Sequence, residues 1–87
     1  MKTFLIIYDD TANLDLIKDR IKSLGTYYNF LGNHWLVKTE IESPKEIHNT
    51  IVRDDMKTTN IVIFNIDTSS GGYWGFMNNA LWQWLKK

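Results

Sequence analysis

Four apolar residues in succession, Phe4-Leu5-Ile6-Ile7, stand near the head of the chain and constrain everything after them. A short β-branched run without alternation predicts a strand buried on both faces, hence a central strand with covering layers above and below. The chain has 87 residues to supply those layers and no cysteine. One domain is therefore expected, burying roughly 60–65% of its unfolded surface, with neither disulfides nor a thiolate zinc site to compensate for a small core. The same run is too short for a signal-peptide core or a membrane span, which predicts a cytoplasmic protein outside the membrane.

Periodicity orders the rest. Lys2 to Tyr8 is the first strand, and Asp9-Asp10 stops it. Leu14, Ile17, Ile21 and Leu24 then recur at helical spacing, with Thr11 or Asn13 to cap the start and Gly25 to end the helix. Thr26 to Leu31 and His34 to Glu40 read as a hairpin about the turn pair Gly32-Asn33. In the second of these strands Trp35, Val37 and Thr39 share one face, and His34, Leu36 and Lys38 the other. Ser43-Pro44-Lys45-Glu46 combines a capping serine, a proline at the first helical position and a capping-box glutamate, and Ile47 and Ile51 stripe the short helix that follows. Asn60 to Ile66 is the fourth strand, 67–75 is loop, and Met77 to Leu85 is a closing helix.

A β-α-β-β-α-β order is the signature of a split βαβ unit. Right-handed crossovers then give an antiparallel sheet ordered four, one, three, two. The expected fold is α+β: a ferredoxin-like βαββαβ sandwich over 1–67, with a loop and short C-terminal helix over 68–87, all within one domain spanning 1–87. Leu5, Ile7, Ile17, Ile21, Trp35 or Leu36, Ile51, Val62 and Phe64 are its expected core.

That topology gathers Asp9, Asp10, Asn33, His34, Lys57 and Asn60 at one end of the sheet. Two carboxylates, an imidazole and amides suit a hard divalent cation such as Mg²⁺ or Mn²⁺, which could polarise a phosphodiester. Asp9 and Asp10 are the candidate ligands, and Tyr27, Tyr28, Asn33, Lys57 and Asn60 the candidate binding residues, the tyrosines by stacking on bases. Two aspartates after a strand also serve as a turn and helix-cap region, and about half of the aromatics are expected in the core. Charge limits the nucleic-acid reading, because ten Lys plus Arg balance ten Asp plus Glu and counterion release needs a basic surface. Only a local patch fits. Strand four carries neither charge nor proline at the sheet edge, and such an edge recruits other chains. A homodimer is expected, with Ile61, Ile63, Trp74, Phe76, Trp82 and Trp84 at the interface.

Phe4-Leu5-Ile6-Ile7-Tyr8-Asp9 resembles the opening strand and aspartate of the Cas-two subunit of CRISPR adaptation and of the related VapD toxin. Leu24-Gly25 through Trp35-Leu36-Val37-Lys38-Thr39, and Gly75-Phe76-Met77 to Trp82-Gln83-Trp84-Leu85, are similar to small bacterial and phage proteins labelled "SinR family". The resemblance implies a dimer with Asp9 at its two-fold interface, where a pair of them can hold a metal for cleaving nucleic acid. Where the Cas-two pattern carries arginines after the first helix, this chain reads Thr26-Tyr27-Tyr28. Two functions follow. One is a metal-dependent nuclease using Asp9, with His34 as proton shuttle. The other is a non-catalytic binding module for a nucleotide or a protein partner, in counter-defence or a toxin–antitoxin pair.

If the first helix faces the core as its periodicity requires, Ile21→Ala lowers stability by about 2–5 kcal/mol, readable as a fall in the denaturation midpoint.

Overall fold

The computed structural model describes residues 2–9, 14–53, 60–66 and 79–86. They form β1 (Lys2–Asp9), α1 (Leu14–Lys22), β2 (Thr26–Leu31), β3 (His34–Thr39), α2 (Pro44–Ile51), β4 (Asn60–Ile66) and α3 (Asn79–Lys86). The strands make one antiparallel sheet in the order β2-β3-β1-β4, the expected sequence of strands read from the opposite edge. The architecture is α+β, a four-stranded antiparallel sheet with three helices among the described residues.

β1 is central, paired with β3 from Lys2↔Thr39 to Ile7↔His34 and with β4 from Thr3↔Ile66 to Asp9↔Asn60. Its alternate residues therefore face two different layers. Phe4, Ile6 and Tyr8 are buried with Trp35 and Val37 beneath α1 and α2, which contribute Ile17, Ile21, Ile47 and Ile51. Deep in this layer the Trp35 indole Nε1–H donates to the Tyr8 hydroxyl at 3.1 Å. The second face carries a smaller cluster of Leu36, Leu81, Trp84 and Leu85, with Leu5, Tyr28, Phe30, Ile66 and Trp82 packed against it.

The local signals for α2 act as read, whereas Thr11 and Asn13, the expected caps of α1, lie outside the described residues. The Ser43 hydroxyl accepts from the Glu46 N–H at 3.1 Å, with Pro44 opening α2. Two cations finish helices. Arg20 Nη1 donates to the Ile51 carbonyl at 2.9 Å, at the last turn of α2. Lys38 Nζ donates to the Trp84 carbonyl at 2.9 Å, in the last turn of α3, and lies 4.5 Å from the Trp84 ring centre. Each meets carbonyls that the helix leaves unsatisfied, at the negative end of its dipole.

The expected core needs one correction. Ile17, Ile21, Trp35 and Ile51 lie in the helix-side core, and Leu36 in the second cluster. Leu5 and Ile7, however, turn to the second face, where they are half-buried, and Val62 and Phe64 are 44% and 50% exposed. Ile61 and Ile63, placed at an interface from the sequence, are partly buried and pack against the helix-side core. The physical reason is that both runs are apolar at consecutive positions, so alternation does not distinguish their faces. A choice of face shifted by one residue exchanges every side chain.

Gly25 and Gly32 are the described glycines with positive φ, at +157° and +34°. A Cβ on Gly25 would run into the Lys38 carbonyl of β3, whereas one on Gly32 would meet open space. Gly32→Ala should therefore cost only the left-handed penalty of about 1 kcal/mol. Gly25→Ala should add roughly 1–3 kcal/mol of overpacking against backbone. Thermal or urea unfolding of the two variants side by side checks the difference.

Candidate functional site

The second face of β1 and β4 is built in rows fixed by register. Leu5 lies opposite Phe64, Ile7 opposite Val62 and Asp9 opposite Asn60. Side chains in such rows stand about 4.5–5.5 Å apart at Cβ. α3 covers this face toward β2 and β3, through Leu36, Tyr28 and Phe30, and leaves Val62 and Phe64 open. An open depression forms at the Asp9 end, lined by Ile7, Tyr8, Asp9, Asn60, Ile61 and Val62. Its floor is apolar, and its end wall is a carboxylate beside a carboxamide. Among the described residues neither the Asp9 nor the Asn60 side chain has a hydrogen-bond partner. Both residues are exposed.

The remaining candidates divide around this depression. His34 opens β3 opposite Ile7, on the same face as Asp9 and one diagonal step from it, roughly 7–8 Å. It is half-buried, its ring edge-on to Phe30 with centroids 5.9 Å apart. Asn33 belongs to the hairpin turn, and its carbonyl accepts from the Tyr8 N–H at 3.3 Å, which draws the turn to the end of β1. Asp9, Asn33, His34 and Asn60 thus share one end of the sheet.

Tyr27 and Tyr28 do not join them, because β2 lies two strands away from β1 and pairs these residues with Val37 and Leu36. They also face opposite layers. Tyr27 tilts against Trp35 at 5.8 Å with Lys22 Nζ 5.9 Å from its ring centre, while Tyr28 tilts against Trp84 at 6.3 Å. Trp84 is buried in the second cluster, and Trp82 is half-buried against it. Asp10, Lys57, Trp74 and Phe76 lie outside the described residues. Among the described residues no group of three or more His, Cys, Asp or Glu side chains is placed to hold a metal ion.

Sequence reasoning missed Ile7 and Val62 as a floor. The usable signal was positional: each stands two residues inside a polar strand end, Asp9 or Asn60, and so shares its face. What fold and site define together is a small α+β domain with an open polar-ended groove on one sheet face. No protein-family model, curated protein or solved structure matches the chain. No helix among the described residues is long and apolar enough to cross a membrane.

Because Asp9 is exposed and without a described side-chain partner, Asp9→Asn should change folding stability by no more than about 0.5 kcal/mol. A melting curve superimposable on that of the parent chain is the expected result, so any loss of ligand binding in this variant reports on the site.

Proposed function

We propose that the chain is a homodimeric, Cas-two/VapD-like protein of ferredoxin-like fold that binds nucleic acid or nucleotide at the Asp9 end of its sheet. One observation carries the reading: the polar pair Asp9–Asn60 stands beside the apolar pair Ile7–Val62 on a single open face. A flat apolar floor suits the face of a nucleobase, and a carboxylate with a carboxamide suits its hydrogen-bonding edge. The sheet order and the resemblance of Phe4–Asp9 support the fold family.

The dimer reading rests on β4. It lies at a sheet edge, its seven residues Asn60–Ile66 include no charge and no proline, and it displays Val62 and Phe64 to solvent. Association through β4 at its Phe64 end would cover that ring and leave the Ile7–Val62 and Asp9–Asn60 rows open at the rim.

A second reading is cleavage of RNA or DNA with Mg²⁺ or Mn²⁺. The strand-end position of Asp9, with its carboxylate free of described partners, favours it. Asp9 and Asp10, or two copies of Asp9 in a dimer, would be the residues that hold the cation, which would polarise the phosphodiester. His34, on the same face, would then move the proton.

Two measurements test these readings. Sedimentation at micromolar concentration should give twice the chain mass of 10.3 kDa, and Phe64→Lys should return it to the monomer mass; a monomeric parent chain rejects the dimer. Labelled RNA and DNA incubated with Mg²⁺ or Mn²⁺ should be bound and left intact. Cleavage by the parent chain that is lost in Asp9→Ala would replace the binding reading with the nuclease.

A further inference from the structure

We infer that the Asp9–Asn60 row selects guanine, reading its Watson–Crick edge while the base lies on Ile7 and Val62. The inference rests on the binding reading above and narrows its ligand. Donors and acceptors on the two side chains match one base edge. An ionised carboxylate is acceptor-only, with two oxygens in one plane, and a carboxamide both donates and accepts. Guanine alone among the four bases puts two N–H donors side by side on its Watson–Crick edge, N1–H and the exocyclic N2–H, with the O6 acceptor next in line. Asp9 can take both donors, and the Asn60 Nδ2–H can give to O6. Adenine and cytosine turn a ring-nitrogen acceptor toward the same carboxylate, and uracil flanks its single N–H with two carbonyls. Each of these leaves an oxygen facing an oxygen or a lone pair.

The geometry allows both contacts to one ligand. Asp9 and Asn60 are register partners across β1 and β4, at a spacing of about 4.5–5.5 Å, so neighbouring groups on one base edge lie within reach of both. Neither side chain is committed to another described residue. Val62, directly opposite Ile7 and 44% exposed, keeps the floor open to a planar ring. The described lining residues Ile7, Tyr8, Asp9, Asn60, Ile61 and Val62 include one anion and no cation. That composition suits a base better than a phosphate.

The test is an amide-resolved NMR titration of the full chain with GMP, IMP, AMP, CMP and UMP, whose common ribose phosphate leaves the base as the variable. GMP should bind at least about tenfold more tightly than IMP, which lacks the exocyclic amine and so one charge-assisted hydrogen bond. The other three should be weaker still, and the shifts should centre on Ile7–Asp9 and Asn60–Val62. Asp9→Asn should abolish the preference for GMP while its melting curve stays that of the parent chain. Equal binding of GMP and IMP in the groove would overturn guanine selection and leave the nucleotide site standing. Absence of binding at millimolar concentration, or shifts confined to another surface, would overturn the site itself.

Discussion

The hydrogen bond from the Trp35 indole to the Tyr8 hydroxyl, 3.1 Å long and buried between sheet and helices, fixes which way the central strand faces. Nothing in Phe4-Leu5-Ile6-Ile7 distinguishes one face of β1 from the other, because all four side chains are apolar. Tyr8 and Trp35 break that tie. Each has a polar group that costs about 1–3 kcal/mol if buried alone, and the two satisfy each other only when both point into the same layer. With Tyr8 beneath α1 and α2, Phe4 and Ile6 follow it inward, and Leu5, Ile7 and Asp9 are committed to the other face. Register then carries the choice across to β4, so that Val62 and Phe64 come out with Ile7 and Leu5. The open groove is thus a consequence of a contact on the opposite side of the sheet.

The second layer is held on different terms. Trp84 is buried as deeply as a core residue, yet among the described residues its Nε1–H has no hydrogen-bond partner, in contrast to Trp35. What binds α3 to the sheet instead is apolar contact with Leu36, Leu5, Tyr28 and Phe30, together with Lys38, which reaches the Trp84 carbonyl and lies over its ring. A cation over an indole contributes about 0.5–2 kcal/mol according to how far it is desolvated. The same lysine also meets the negative end of α3. The helix-side core is the larger of the two layers. α3 covers the sheet only in part.

How much of this was legible in the sequence depended on whether a residue's signal was local. The capping serine and proline of α2, the stripe of Ile17 and Ile21, and the faces of β3 all carry their meaning within a few residues, and they stand where the pattern put them. The strand order followed from the element order alone. The facing of β1 and β4 did not follow, because it is decided by a pair 27 residues apart in sequence. Of the end cluster, the topology legibly gathered Asp9, Asn33, His34 and Asn60. Tyr27 and Tyr28 were separated from it by two strands and from each other by the pleat, which a reading by residue type does not see.

The distribution of cations bears on what the groove can recognise. Arg20 and Lys38 both meet helix C-termini, at Ile51 and Trp84, where each neutralises carbonyls the helix cannot satisfy. Lys22 lies near the Tyr27 ring, on the helix side of the sheet. These side chains are engaged in holding layers together, and none lines the depression at Asp9. A site that met nucleic acid through its phosphates would need such charges free and on the same face, since counterion release is what makes that mode strong. A site that meets a base needs a flat apolar surface and a few hydrogen-bonding groups at its margin. Ile7, Val62, Asp9 and Asn60 have the second composition. Affinity from so small a contact is modest for one groove, and a dimer through β4 would place two grooves on one particle. Two modest sites joined in this way would bind a strand with the avidity of a linked pair, so the proposed dimer, if it leaves Val62 open, and the proposed base-reading groove are compatible with one another.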